Sequence, residues 1–212
     1  MTKQEALAEL EKEIAADTSL PLNESNLVFG EGSPAAKVLF IGEAPGEREN
    51  ELRRPFVGRA GQLLDKLIEE LGWKRADVYI TNIVKRRPPG NRDPLPEEIE
   101  AYTPYLVRQI EILNPTLIAP LGRFSMNYFL PVAKITRDQG KLFRSGCHFI
   151  FPLLHPAAAL RGTGALNSLR ESFKKLPAAI AKCESLDVNS VPDAGAAPAP
   201  KASDAPPQST LF

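Results

Sequence analysis

KVLFIGEAPGERENELRRPFVGRAGQLLDKLIEELGWKRADVYITNIV, residues 37–84, holds a complete strand–loop–helix–strand unit. KVLFIG (37–42) is a short, nearly continuous apolar run, which suits a strand buried on both faces. Leu63, Leu64, Leu67, Ile68 and Leu71 recur at helical spacing, and Gly72 closes that helix. VYITNIV (78–84) is a second apolar strand. Two buried strands joined through a helix predict a parallel pair.

The pattern continues on the C-terminal side. RRPPGNRDP (86–94) is a breaker-rich loop, and Pro96-Glu97-Glu98 opens a helix with Ile99, Tyr102, Leu106, Ile110 and Leu113 on its buried stripe. TLIAPLG (116–122) is a third strand, RFSMNYFL a short helix and HFIFPLL (148–154) a fourth strand. Leu166, Leu169, Phe173, Leu176 and Ile180 follow as a helix that Pro177 kinks or ends. An N-terminal helix over 3–16 buries Leu7, Leu10 and Ile14. The expected fold is α/β: a three-layer α/β/α sandwich around a central, mainly parallel four-stranded sheet.

The chain has 212 residues, a length that suits one compact domain, expected over 1–183. Residues 191–207 hold six Ala, five Pro and one Gly and no aromatic residue, so 184–207 is expected to be a disordered linker ahead of QSTLF at 208–212. No apolar run reaches the roughly 18 residues of a membrane span, and no leader follows Met1, so a cytoplasmic location is expected. Two cysteines, Cys147 and Cys183, with His148 and His155 offer no four-thiolate site, and no metal is expected. The net charge is zero, yet it is segregated. Residues 1–31 carry seven acids against two bases, 184–212 four against one, and 32–183 have 23 bases against 15 acids, so +8. A basic body between acidic ends permits a polyanionic partner, although a mixed solvated surface explains it equally well.

Ligands of open parallel sheets bind beyond the carboxyl ends of the strands, which points to three loops. Gly42–Asn50, continued through Pro55–Gly61, lacks both a GxGxxG fingerprint and a phosphate-loop ending. Within it Phe56 is either a flap on the core or a stacking platform. Asn82, on an apolar strand, either holds neighbouring backbone or reads a donor and an acceptor on a ligand. His155, fixed by Pro156 and followed by small residues, stands directly after the fourth strand.

Taken together, Gly42-Glu43-Ala44-Pro45-Gly46, Arg54–Leu64, Thr81–Lys85, Arg87–Pro94 and His155-Pro156-Ala157 resemble the family-4 uracil-DNA glycosylases, over roughly Val28 to Ile180. The resemblance implies excision of uracil flipped out of DNA, leaving an abasic site. Phe56 would stack on the base, Asn82 would read its O4/N3 edge, and the loop with Gly42, Ala44 and Gly46 would supply main-chain contacts. Neutral His155 would donate to O2 of the departing anion. Glu49, with Glu43 second, would position the water, or either would cap a backbone turn. Ala44 stands where some related families place a water-activating Asp. Lys85, Arg87, Arg92 and Arg161 would meet phosphates, or else stand simply solvated, and Leu160 would wedge into the vacated stack or pack at the base of its loop.

The departures concern a cofactor. Members of the family hold a four-iron four-sulfur cluster on four cysteines, and the matching positions here are Ala15, Thr18, Arg86 and Tyr102. No cluster is therefore expected, with packing of Tyr102 against Leu20 or Leu22 in its place. Asn50 and Arg53 replace a usual Asp and Gly. QSTLF resembles the motif by which repair proteins dock on sliding clamps, Gln208 and the Leu211-Phe212 pair filling its pockets. The 24-residue tether would reach roughly 25–30 Å. The expected protein is a monomeric, nucleoid-associated glycosylase. The alternatives are a non-catalytic or covalently trapping binder of uracil-containing DNA and, more remotely, a small nucleotide-binding α/β protein.

Overall fold

The computed structural model describes residues 1–194. Its sheet has six strands: β1 (Glu31–Gly32), β2 (Val38–Gly42), β3 (Tyr79–Asn82), β4 (Leu117–Pro120), β5 (Phe143–Ser145) and β6 (His148–Ile150). They lie in the order β1-β3-β2-β4-β6-β5. The four strands expected from sequence are the parallel centre, with Phe40 paired to Ile80 on one side and Ala119 on the other. The sheet is nonetheless mixed and wider than expected, because β1 and β5 close its two edges antiparallel. Glu-Gly and Phe-Arg-Ser carry no apolar run, and pairing at an edge requires none.

Side chains of a strand alternate between faces, and β2 distributes the core accordingly. Val38 and Phe40 point to one layer, with α3 (Arg59–Glu70), α8 (Thr163–Phe173) and α9 (Leu176–Ser185). Phe40 stacks on Phe173 there at 5.7 Å. Leu39 and Ile41 point to the other, with α1 (Lys3–Ala16), α4 (Pro96–Leu113) and α5 (Arg123–Phe129). The short helices α2 (Glu47–Leu52), α6 (Ile135–Asp138) and α7 (Pro156–Ala159) complete the fold. Pro177 ends nothing: the chain has already broken after Phe173, and the proline sits in the first turn of α9, where its missing N–H costs no bond.

The folded region extends past residue 183. Helix α9 runs to Ser185, a 3-10 turn covers Val188–Ser190, and Leu186, Val188 and Val191 pack on the core. Arg144 on β5 donates to the Val191 carbonyl at 3.0 Å and accepts from the Ala194 amide at 2.9 Å. The first part of the expected linker is thus a strap along the β5 edge. The rest of it, and QSTLF, lie outside the described residues.

Candidate active site

The carboxyl ends of β2 and β3 and the segment after β6 converge on a cavity of about 310 Å³. Glu43, Ala44, Gly46, Glu49, Phe56, Asn82 and His155 line it. Gly42 stands behind the wall instead of lining it. A Cβ there would lie 2.3 Å from Asn82 Oδ1 and 2.6 Å from Phe56 Cζ, so its lack of a side chain lets both residues reach the cavity.

Asn82 is almost wholly buried, and its Oδ1 has no hydrogen-bond partner. A buried amide oxygen left unpaired is costly, and this one belongs to a residue that lines the cavity. Phe56 is buried in the core, as a flap would be, and also lines the cavity, its ring 5.7 Å from the imidazole of His155. Its φ of +50° is rare for an aromatic residue. Two features hold it there. Gly61 lies so close to the Phe56 carbonyl that a Cβ would fall 1.8 Å from the oxygen. Arg75 donates to the Phe56 and Pro55 carbonyls at 3.2 and 2.5 Å while its other bonds anchor on Glu31 and Asp65. Sequence reading missed Arg75. It stands in a 3-10 turn away from every motif, and Glu31 is 44 positions upstream.

His155 caps α7: its Nδ1 accepts from the Ala157 amide at 3.1 Å. With Nδ1 accepting, the neutral ring carries its proton on Nε2. Burial holds its pKa down to about 4, against a weaker pull upward from Glu49, so the ring is neutral at pH 7. Glu49 Oε1 accepts from the Val57 and Gly58 amides at 2.8 and 2.7 Å, capping the amino end of α3. The capping role foreseen for Glu49 is real and occupies one oxygen. Its other oxygen lies beside Gly46. Burial, reinforced by Asp93, pushes Glu43 up to about 7.

Of the basic residues, Lys85 is misplaced by the sequence reading. It is fully buried, with Nζ bonded to Thr81, Asn82 and Gln109, and cannot meet a phosphate. Arg87 is half-buried on Asn91, and Arg92 pairs with Glu98 on the cavity rim. Leu160 and Arg161 are exposed at the end of α7.

The site's segments match known proteins. A family model described as the uracil DNA glycosylase superfamily covers residues 29–179. The chain belongs to that superfamily. Among curated relatives it is 47% identical to a type-4 uracil-DNA glycosylase of Sulfurisphaera tokodaii, over 72% of this chain and 74% of that protein. A type-4 enzyme of Thermotoga maritima is 42% identical over 80% of this chain and 90% of its own length. One of Archaeoglobus fulgidus is 39% identical over 81% and 92%.

The iron–sulfur positions inferred from that family do not fit a cluster. Ala15 and Thr18 are exposed and carry no thiolate. Tyr102 is fully buried, donates to the Pro21 carbonyl at 2.8 Å and shares its core with Leu20 and Leu22. Arg86 donates to the Ser25 carbonyl at 2.5 Å. Among the described residues no three His, Cys, Asp or Glu side chains are grouped to hold a metal. The Asn50 and Arg53 departures act together. The Asn26 amide donates to Asn50 Oδ1 at 2.8 Å, and Arg53 donates to Asn26 Oδ1 at 3.1 Å. They tie α2 to the same segment that Arg86 and Tyr102 hold.

Proposed function

We propose that this chain hydrolyses the N-glycosidic bond of uracil in DNA, releasing the base and leaving an abasic site, and does so without an iron–sulfur cluster. The observation that carries the reading is the buried, unpaired Oδ1 of Asn82, a residue that lines the cavity together with Phe56 and His155. A flipped uracil would stack on Phe56, give its N3–H to Oδ1 and take a bond at O4 from Nδ2. Cytosine reverses that donor and acceptor pattern and would leave two buried mismatches.

Bond breaking puts negative charge on the departing base. His155, neutral with its proton on Nε2, donates to O2 and stabilises that charge without itself losing a proton. Water adds to the sugar carbon from the side of Glu49, whose second oxygen orients it, and the proton it sheds neutralises the released uracil anion by way of solvent. Glu43 and the main chain at Ala44 and Gly46 shape the mouth. Leu160 and Arg161 at the end of α7, Arg92 on the rim and Arg87 beside Asn91 would meet the strand. The bonds of Arg86, Tyr102, Asn50 and Arg53 pin the segment from Pro21 to Asn26 and support the cluster-free part of the reading.

The protein acts as a cytoplasmic, nucleoid-associated monomer, and QSTLF docks it on a sliding clamp through Gln208, Leu211 and Phe212. Among the described residues no helix is long and apolar enough to cross a membrane. Incubating the full chain with a labelled single-uracil oligonucleotide tests the activity. Free uracil and an alkali-labile strand are expected, and binding or a denaturant-stable adduct without release would refute it. Pull-down of a clamp by the full chain, lost on Leu211→Ala with Phe212→Ala, tests the tail.

A further inference from the structure

Lys85 is wholly enclosed at the close of the segment that carries Asn82. Its side chain curls back on its own strand. Nζ donates to the main-chain oxygen of Asn82 at 2.7 Å, to Thr81 Oγ1 at 2.7 Å and to Gln109 Oε1 at 2.6 Å. Thr81 Oγ1 passes its own proton to the Phe29 carbonyl at 2.7 Å, which also takes a bond from Gln109 Nε2 at 3.2 Å. Three acceptors therefore surround Nζ. The network joins the last two residues of β3 to α4 and to the segment before β1.

The Asn82 carboxamide makes no hydrogen bond to any other described residue, so nothing on the side chain itself fixes its aim. Its direction is set by close packing on Gly42, which Phe56 shares, and by the main chain from which it springs. We propose that Lys85 is a positioning residue for base recognition, holding the Asn82 carbonyl and so fixing how the carboxamide enters the cavity. The proposal rests on the reading of Asn82 as the group that reads the base. An apolar side chain of similar length would leave the Asn82 main-chain oxygen buried and unpaired, with Gln109 Oε1 keeping only the 3.3 Å bond from Thr81 Oγ1, and free the end of β3 to turn. Burial alone draws the Lys85 pKa well below that of an ordinary lysine, in keeping with a site that water does not reach.

The test is inhibition of strand processing by free uracil, together with single-turnover excision, in the full-length chain. Lys85→Met is compared with Gln109→Leu, which cuts the same network but spares the Lys85–Asn82 bond, and with Asn82→Ala. Each variant is assayed well below its own Tm. Lys85→Met should weaken uracil inhibition and slow single turnover at least tenfold, with Gln109→Leu within twofold of wild type. If Lys85→Met does not fold, Lys85→Gln, which keeps a polar group in the cavity, takes its place. Effects that are equal in the two network variants, or that follow only their loss of Tm, would overturn the proposal. Unchanged uracil inhibition in Asn82→Ala would overturn the reading of the pocket itself. Loss in Asn82→Ala with none in Lys85→Met overturns the positioning role alone.

Discussion

His155 Nδ1 accepts the amide proton of Ala157, two residues ahead of it, and this one bond fixes which nitrogen of the ring faces the cavity as a donor. The ring is also held neutral, with its pKa pushed down to about 4, whereas an unfolded histidine titrates near 6.5. The unfolded chain therefore takes up a proton first as pH falls. The stability tied to this ring is complete above about 6.5 and is lost as pH drops toward 4. Thermal melts of wild type and His155→Asn across that range should show the difference between them moving in the variant's favour at the acid end.

The part played by Glu43 at the mouth can be tested by pH. Glu43 titrates at about 7, so a rate that depended on its carboxylate would bend there. The account assigns the water to Glu49, and single-turnover excision should cross pH 7 without an inflection. Glu43→Gln should stay within about threefold of wild type, while Glu49→Gln should fall by about 10² or more.

Arg75 is the fixed point behind the Phe56 ring. Removing its guanidinium leaves the Pro55 and Phe56 carbonyls, Glu31 and Asp65 without their shared partner. Arg75→Met should cost about 2 kcal/mol in denaturant unfolding and reduce excision more than tenfold, because Phe56 no longer keeps its position. Arg54→Met removes an exposed bond to the same Glu31 and should change the rate little.

A chain whose cluster positions are filled by Arg86 and Tyr102 should be indifferent to iron. Purified protein should show no charge-transfer absorption near 400 nm, and chelators or oxidants should leave the rate unchanged. Tyr102→Phe removes the bond to the Pro21 carbonyl and should lower stability by about 1 kcal/mol.

The strands that bury both faces were legible because their apolar runs are continuous, and VLFIG and its partners lie where the sequence puts them. The edge strands were not legible, since Glu31–Gly32 and Phe143–Ser145 are held by pairing with a neighbour and not by composition. The cavity residues could be named because their motifs stand at strand ends, where the fold must gather them. What local sequence could not reveal was direction. Lys85, in a string of basic residues, reads like its neighbour Arg87 but turns fully inward because Gln109, Thr81 and the Asn82 carbonyl await it. Arg75 and the strap through Val191 likewise depend on partners far away in the chain.

The most direct measurement of the central claim is single-turnover release of uracil from a labelled oligonucleotide by the full chain, by Asn82→Ala and by His155→Ala. The account predicts release by the intact protein. His155→Ala should be slowed by about 10²–10³ with uracil-DNA binding retained, and Asn82→Ala should lose preference for uracil-containing DNA. Release at the wild-type rate by both variants would contradict the assignment of this cavity as the site of excision.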